Sequence, residues 1–229
     1  MYTMEEQDIK NIWKTYDARL QEAKEQSDRS WALNLRLFEE MQSGKAGSAL
    51  RKLKILKTTG IIVTVLYLVA LGWALAFAIT HYSSAWNYFI VSMGAIFIIN
   101  FKGLSDYVRH LIMASEINYS GSVTEVQQKL SGLQMSIVQH TRFMYLQIPF
   151  WSTFYLSDKW FPHSVGWAFI IIHVICTGAM VYAAYWLYTR LTVENMQKSK
   201  FIRKLVGGSG IGSVSKAMEF YREIEEFKK

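Results

Sequence analysis

Of the 229 residues 51% are hydrophobic, only two are proline, and few stretches alternate like strands, so an all-α protein is expected. The single cysteine, Cys176, excludes an internal disulfide. The net charge of +7 does not point to nucleic acid, because the basic excess lies beside apolar blocks.

Residues 1–57 are polar and charged and lack the short apolar core of a signal peptide. Within them Ile9, Trp13, Tyr16, Leu20 and Ala23 recur at spacings of three and four, and Trp31, Leu35, Phe38 and Met41 form a second run. The "SGKAG" at 43–47 is expected to break the helix before "SALRKLKILK" leads into the first apolar block.

That block, residues 58–80, carries no charge and exceeds the about 20 helical residues that cross a bilayer core. Residues 84–101 are just long enough, and 164–188 are ample. A shorter apolar stretch, "FMYLQIPFWSTFYL", fits a span or a re-entrant segment. Charge bias favours the span. Arg51, Lys52, Lys54 and Lys57 precede the first block, and Arg190, Lys198, Lys200, Arg203 and Lys204 follow the last. Both ends therefore belong in the cytoplasm, and the number of crossings is even. Arg142 is expected to snorkel to the inner surface and lengthen the third span. Tyr82, Trp86, Tyr155, Trp160 and Trp167 would form an outer aromatic belt.

The connection between the second and third spans is patterned. Ser122 with Glu125 fits a capping box after a turn at 118–121. Val123, Val126, Leu130, Leu133, Ile137 and His140 then form a heptad seam, and Leu104, Val108 and Leu111 extend the second span on one face. These predict a cytoplasmic helical hairpin with its tip near Tyr119, covered by the N-terminal helices and by a C-terminal helix bearing Val214, Met218, Tyr221 and Ile224. The expected units are 1–57 (cytoplasmic N-terminal helices), 58–101 (two spans), 102–141 (hairpin), 142–189 (two spans) and 190–229 (C-terminal helix and tail).

No span carries Asp, Glu, Lys or Arg in its interior, which argues against an ion-coupled carrier. Gly72, Gly94 and Gly178 are expected to let spans approach closely. His173 lies near mid-bilayer with Cys176 one turn on, too few ligands for a metal, and Tyr67 is its expected hydrogen-bond partner. Asn100 and Gln147 are expected to bond between helices, and Asn87 to act similarly near the outer end. "GGSGIG" at 207–212 follows no strand and lacks a Walker lysine, so it reads as a flexible linker. No spacing fits nucleophilic catalysis, and neither an enzyme nor a cofactor is expected.

The stretches "INYSGSVTEVQQKLSGLQMSIVQHTRFMYLQIPFWSTF" and "IWKTYDARLQEAKEQSDRSWALNLRLFEEM" resemble a family of uncharacterised bacterial four-span proteins. The resemblance implies an inner-membrane protein with a helical cytoplasmic part, loosely associated with regulators of extracytoplasmic-function sigma factors. The expected function is a membrane-anchored regulatory or scaffold protein, anti-sigma-like in its sharpest form, that self-associates or binds a cytosolic protein through Trp13, Tyr16, Leu20, Trp31, Leu35 and Phe38. The alternative is a small transporter or channel component lined by Asn87, Asn100, Gln147 and His173.

Overall fold

A computed structural model describes residues 6–119 and 121–228, the side chains of 6–9 and 197 excepted; Glu5 and the Ile9 side chain of the first stripe fall outside that description. The described chain is all-helical. Helix α1 (Glu6–Thr80) is continuous for 75 residues, about 110 Å at 1.5 Å per residue. The break expected at 43–47 does not occur. Two helical glycines cost about 1 kcal/mol each, and tertiary packing offsets them: Ala46, Leu50 and Leu53 are fully buried, and a Cβ on Gly47 would lie 3.8 Å from the Tyr119 ring.

Helices α2 (Asn87–Ser115) and α3 (Val123–Met144) form the expected hairpin. The Gly121 N–H donates to Asn118 O at the tip, and Ser122 Oγ accepts from the Glu125 N–H at 3.3 Å, which starts α3. The seam is buried as patterned, with Val126, Leu130, Leu133 and Ile137 at most 1% exposed.

The cover differs from expectation. Residues 10–34 of α1 are all exposed, and α1 packs only from Leu35 onward. The main cover is α7 (Ile211–Phe227), seated against α1 and α3 through Val214, Ala217, Tyr221 and Ile224. Polar contacts fix it there: Gln42 donates to Glu223 at 2.6 Å, Lys228 pairs with Glu39, and the Tyr221 hydroxyl donates to Tyr119 O. After the short α5 (Val193–Lys198), the segment expected to be a flexible linker is a tight turn between α6 (Lys200–Gly207) and α7. Gly210 turns there at φ +89°, and a Cβ on it would lie 2.4 Å from Leu53 Cδ1.

Three helices are long and apolar enough to cross a bilayer: α1, α2 with the 3₁₀ turn before it, and α4 (Trp167–Arg190). Their apolar side chains face outward, with Trp73 74% and Trp167 80% exposed. The fourth apolar stretch is not an α-helix. It forms a 3₁₀ helix, Tyr145–Ser152, followed by turns, because Pro149 lacks the N–H that an α-helix would use and its ring crowds the Tyr145 carbonyl. This segment lies between α2 and α4. It runs antiparallel to α2, since Gln147 bonds Asn100 at 2.9 Å, Thr153 bonds Ser92 at 2.8 Å, and Asp158 accepts from Asn87 at 2.5 Å. Along α2 those partners span about 20 Å. Arg142 Nε donates to Tyr188 O at 2.7 Å, capping the end of α4 where a cation is favoured.

Of the glycines expected at close contacts, only Gly72 has a neighbour, Phe97 at 3.4 Å; a Cβ on Gly94 or Gly178 would meet nothing within 4 Å. Gly210→Ala therefore destabilises the protein by about 1–3 kcal/mol, read by thermal unfolding in detergent, whereas Gly178→Ala leaves the midpoint unchanged.

Candidate functional site

The densest group of titratable side chains lies where α1, α2 and α3 leave the apolar blocks. Lys57 is the last charged residue of α1 before residues 58–80. Lys102, Asp106 and His110 follow one another at four-residue spacing on α2, which puts them along one face. His140, the last polar residue of the α3 seam, meets that face. Its Nδ1 lies 3.1 Å from Asp106 Oδ2, and Lys102 Nζ lies 2.5 Å from the same oxygen. The His140 ring packs on Tyr107 at 4.8 Å and meets His110 edge-on at 5.6 Å. Close approach is possible because position 103 is glycine: a Cβ there would meet Met144 Sδ at 3.0 Å and His140 Cε1 at 3.5 Å.

Burial sets the protonation of this group. His110 is fully buried. Burial, then the Lys57 charge, pushes its imidazole down to about 4, so it is neutral at pH 7. Its Nε2 contacts Ser136 Oγ at 3.1 Å, while Nδ1 has no hydrogen-bond partner among the described residues. His140 is also lowered, by burial and against the pull of Asp106, and as a neutral ring it donates Nδ1–H to that carboxylate. Burial disfavours ionisation of Asp106, but hydrogen bonds from Lys102 and His140 outweigh it and hold the carboxyl below its ordinary value.

Lys57 is the unusual member. It is 3% exposed, and burial lowers it to about 8 despite the nearby Asp106 charge. Its Nζ sits over the Tyr107 ring at 4.5 Å, and among the described residues no carboxylate pairs with it. A cation over an aromatic face gains about 0.5–2 kcal/mol, less than the several kcal/mol that a buried, unpaired ammonium costs. The Lys57 side chain lines a pocket of about 360 Å³, shared with His140, Met144, Gln147, Trp151 and Ser209 among others.

The residues singled out from sequence divide differently. Trp13, Tyr16, Leu20 and Trp31 are more than half exposed on the free part of α1, with Trp13 and Tyr16 in edge-to-face contact at 6.4 Å. Leu35 is half-buried, and Phe38 stacks on Phe227 at 4.5 Å, so Phe38 is a packing residue rather than a free contact. Asn100 and Gln147 bond as expected. His173 does not meet Tyr67. It contacts the Tyr155 hydroxyl at 3.3 Å and Thr177 at 3.4 Å, while Tyr67 packs against the cluster of Leu71, Met93 and Ile96, because α4 lies beyond the 3₁₀ segment from α1. Asn87, Asn100 with Gln147, and His173 thus bond to three different sets of neighbours.

Asp106, His110 and Lys57 were not singled out from sequence. The four-residue spacing of Asp106 and His110, facing a histidine on the hairpin's other arm, was the available signal; Lys57 is indistinguishable there from the basic run around it. These elements define a helical protein with membrane-length apolar helices and a buried cationic site at their base. No family model, no curated protein and no solved structure matches the chain.

Two outcomes follow. At pH 7 the folded state carries the full cost of a charged Lys57, because both its folded value near 8 and its unfolded value of 10.5 lie above that pH. Lys57→Met therefore stabilises the protein at pH 7 by on the order of 1–3 kcal/mol, a gain that shrinks as pH rises toward 10 in denaturant titrations. His110 works in the other direction. Its folded value lies below the unfolded 6.5, so the unfolded chain takes up protons first as pH falls. The stability this gives is complete above 6.5 and is lost toward 4, on the order of 3 kcal/mol, and His110→Phe flattens that part of the profile.

Proposed function

We propose that the protein is a membrane-anchored scaffold whose N-terminal arm binds a cytosolic helical protein. The observation that carries this reading is the state of residues 10–34: 25 consecutive helical residues, all exposed and extending about 37 Å beyond the packed part of α1. A helix in a protein draws most of its stability from packing an apolar face. This one bears Trp13, Tyr16 and Leu20 at heptad spacing, with Trp31 about five turns from Trp13 on the same side, flanked by charges of both signs: Lys10, Lys14, Arg19, Lys24 and Arg29 against Asp17, Glu22, Glu25 and Asp28. An apolar stripe between mixed charges is the surface that pairs with another helix.

The anchor is read as four crossings, three by α-helices and one by the segment from Tyr145 to Leu156. Support comes from the side-chain pairs that tie that segment, and Asp158 just beyond it, to α2 over about 20 Å, close to the length of a crossing. On that reading the basic flanks favour a cytoplasmic side for both ends and the hairpin tip, and a bacterial inner membrane is what the resemblance implies.

With Cys176 replaced by alanine, a cysteine at Arg19 stays unlabelled by an impermeant maleimide in intact cells, while one at His163 is labelled. Labelling at position 19 refutes the topology. A photocrosslinker at Trp13 or Leu20 in native membranes gives one discrete cytosolic adduct, and Leu20→Asp reduces its yield at least tenfold. Adducts to the same chain alone mean self-association instead, and no adduct at either position refutes the reading.

A further inference from the structure

The pocket beside Lys57 has a feature the scaffold reading does not use. It is cationic at one end and apolar at the other. Lys57, His140 and Gln147 line it together with Met144, Ile148 and Trp151, and the last two belong to the apolar 3₁₀ segment. The charge balance around it is positive: Lys57 and Lys102 against Asp106, with both histidines neutral, leave one uncompensated positive charge. Lys102 is already bound to Asp106, so the unmatched charge is that of Lys57. Donors remain available beside it. Gln147 uses its Oε1 to accept from Asn100, which leaves its amide N–H groups without a bond among the described residues.

An anion fits the polar end, and a ligand that also has an apolar chain fits the whole pocket. A soluble metabolite has no use for the wall formed by Ile148 and Trp151. A metal ion is a poor fit, since the charge it would meet is already positive and no three His, Cys, Asp or Glu side chains among the described residues gather to hold one. We propose that this pocket binds an anionic phospholipid, its phosphate against Lys57 Nζ and the Gln147 amide, and its acyl chain along Met144, Ile148 and Trp151. The opening lies where the apolar blocks begin, at headgroup level if those helices are spans, so the proposal rests on that part of the scaffold reading. Walls from α1, α3, the 3₁₀ segment and the turn at Gly208 and Ser209 meet at this pocket. A bound lipid therefore joins the hairpin to α7's entry turn.

The test uses the full chain in detergent micelles, by native mass spectrometry with phosphatidylglycerol or phosphatidylcholine added at equal concentration. Wild type retains one phosphatidylglycerol with at least tenfold preference over phosphatidylcholine. Lys57→Met, which folds more stably, loses that preference, and Lys52→Met, an exposed neighbour on the same helix, keeps it. Equal retention of the two lipids by wild type, or a preference untouched by Lys57→Met, overturns the proposal. Glycerol 3-phosphate is the second arm: if millimolar amounts displace the lipid and raise the unfolding midpoint in a Lys57-dependent way, the site takes soluble phosphate esters and the lipid assignment is overturned. A protein that does not partition into micelles at all counts instead against the membrane reading, so the two failures are distinguishable.

Discussion

Much of the architecture turns on the missing N–H of Pro149. An α-helix entering the apolar stretch after Met144 would have continued to its far end with every backbone group bonded internally. The proline ends that option one turn after α3, and the chain proceeds as a 3₁₀ helix and then as turns. A 3₁₀ helix rises about 2 Å per residue rather than 1.5, so a short segment keeps pace with α2 over a long distance. Hydroxyls of the segment itself meet part of the freed backbone: Ser152 donates to Pro149 O and Thr153 to Phe150 O. Side chains then tie it to its neighbours, with Asn100, Ser92 and Asn87 on α2 bonding Gln147, Thr153 and Asp158, and Ser152 contacting Thr177 on α4 at 3.1 Å. Hydrogen bonds of this kind between membrane helices contribute about 0.6–2 kcal/mol each, and here they also fix the register of the segment between its two neighbours.

The same break shapes the cationic site. Where α3 yields to the 3₁₀ helix, the packing loosens beside Met144 and Tyr145, and the pocket opens there. One side of it is rigid, because Lys102, Asp106 and His140 satisfy one another at short range. The other side is Lys57, whose ammonium is buried without a counterion. Such groups are costly, and a perturbed ionisable residue in a cleft is a candidate functional site. The contrast between the satisfied triad and the unsatisfied lysine, side by side on adjacent helices, is what separates this cluster from an ordinary structural network.

Periodicity made the hairpin legible. The capping Ser122, the turn before it and the buried seam from Val126 to His140 are all local patterns, and each is present where its spacing puts it. The C-terminal helix was legible for the same reason. The N-terminal stripes were legible as stripes but not as to what they touch, because three-four spacing describes a face and not its occupant; Phe38 went to the core while Trp13 and Trp31 stayed free. Glycine was misleading twice. Gly44 and Gly47 do not interrupt α1, since packing on either side outweighs their propensity, and the glycine-rich turn at 207–210 is wedged against Leu53 rather than loose. The cationic site was largely hidden. It needs Lys57, Asp106 and His140 from three separate helices, and only the fold brings distant positions to one place.

Because α1 runs from Glu6 to Thr80 without a joint, its exposed arm and its apolar block are two ends of one rod. The rod is gripped near its middle by α7, through Phe38, Gln42 and Leu50. Beyond that grip α1 packs along α2, with Leu71 set against Met93 and Ile96. Trp13 and Lys57 thus sit about 66 Å apart on one unbroken helix, so the bare arm and the pocket wall share a single backbone.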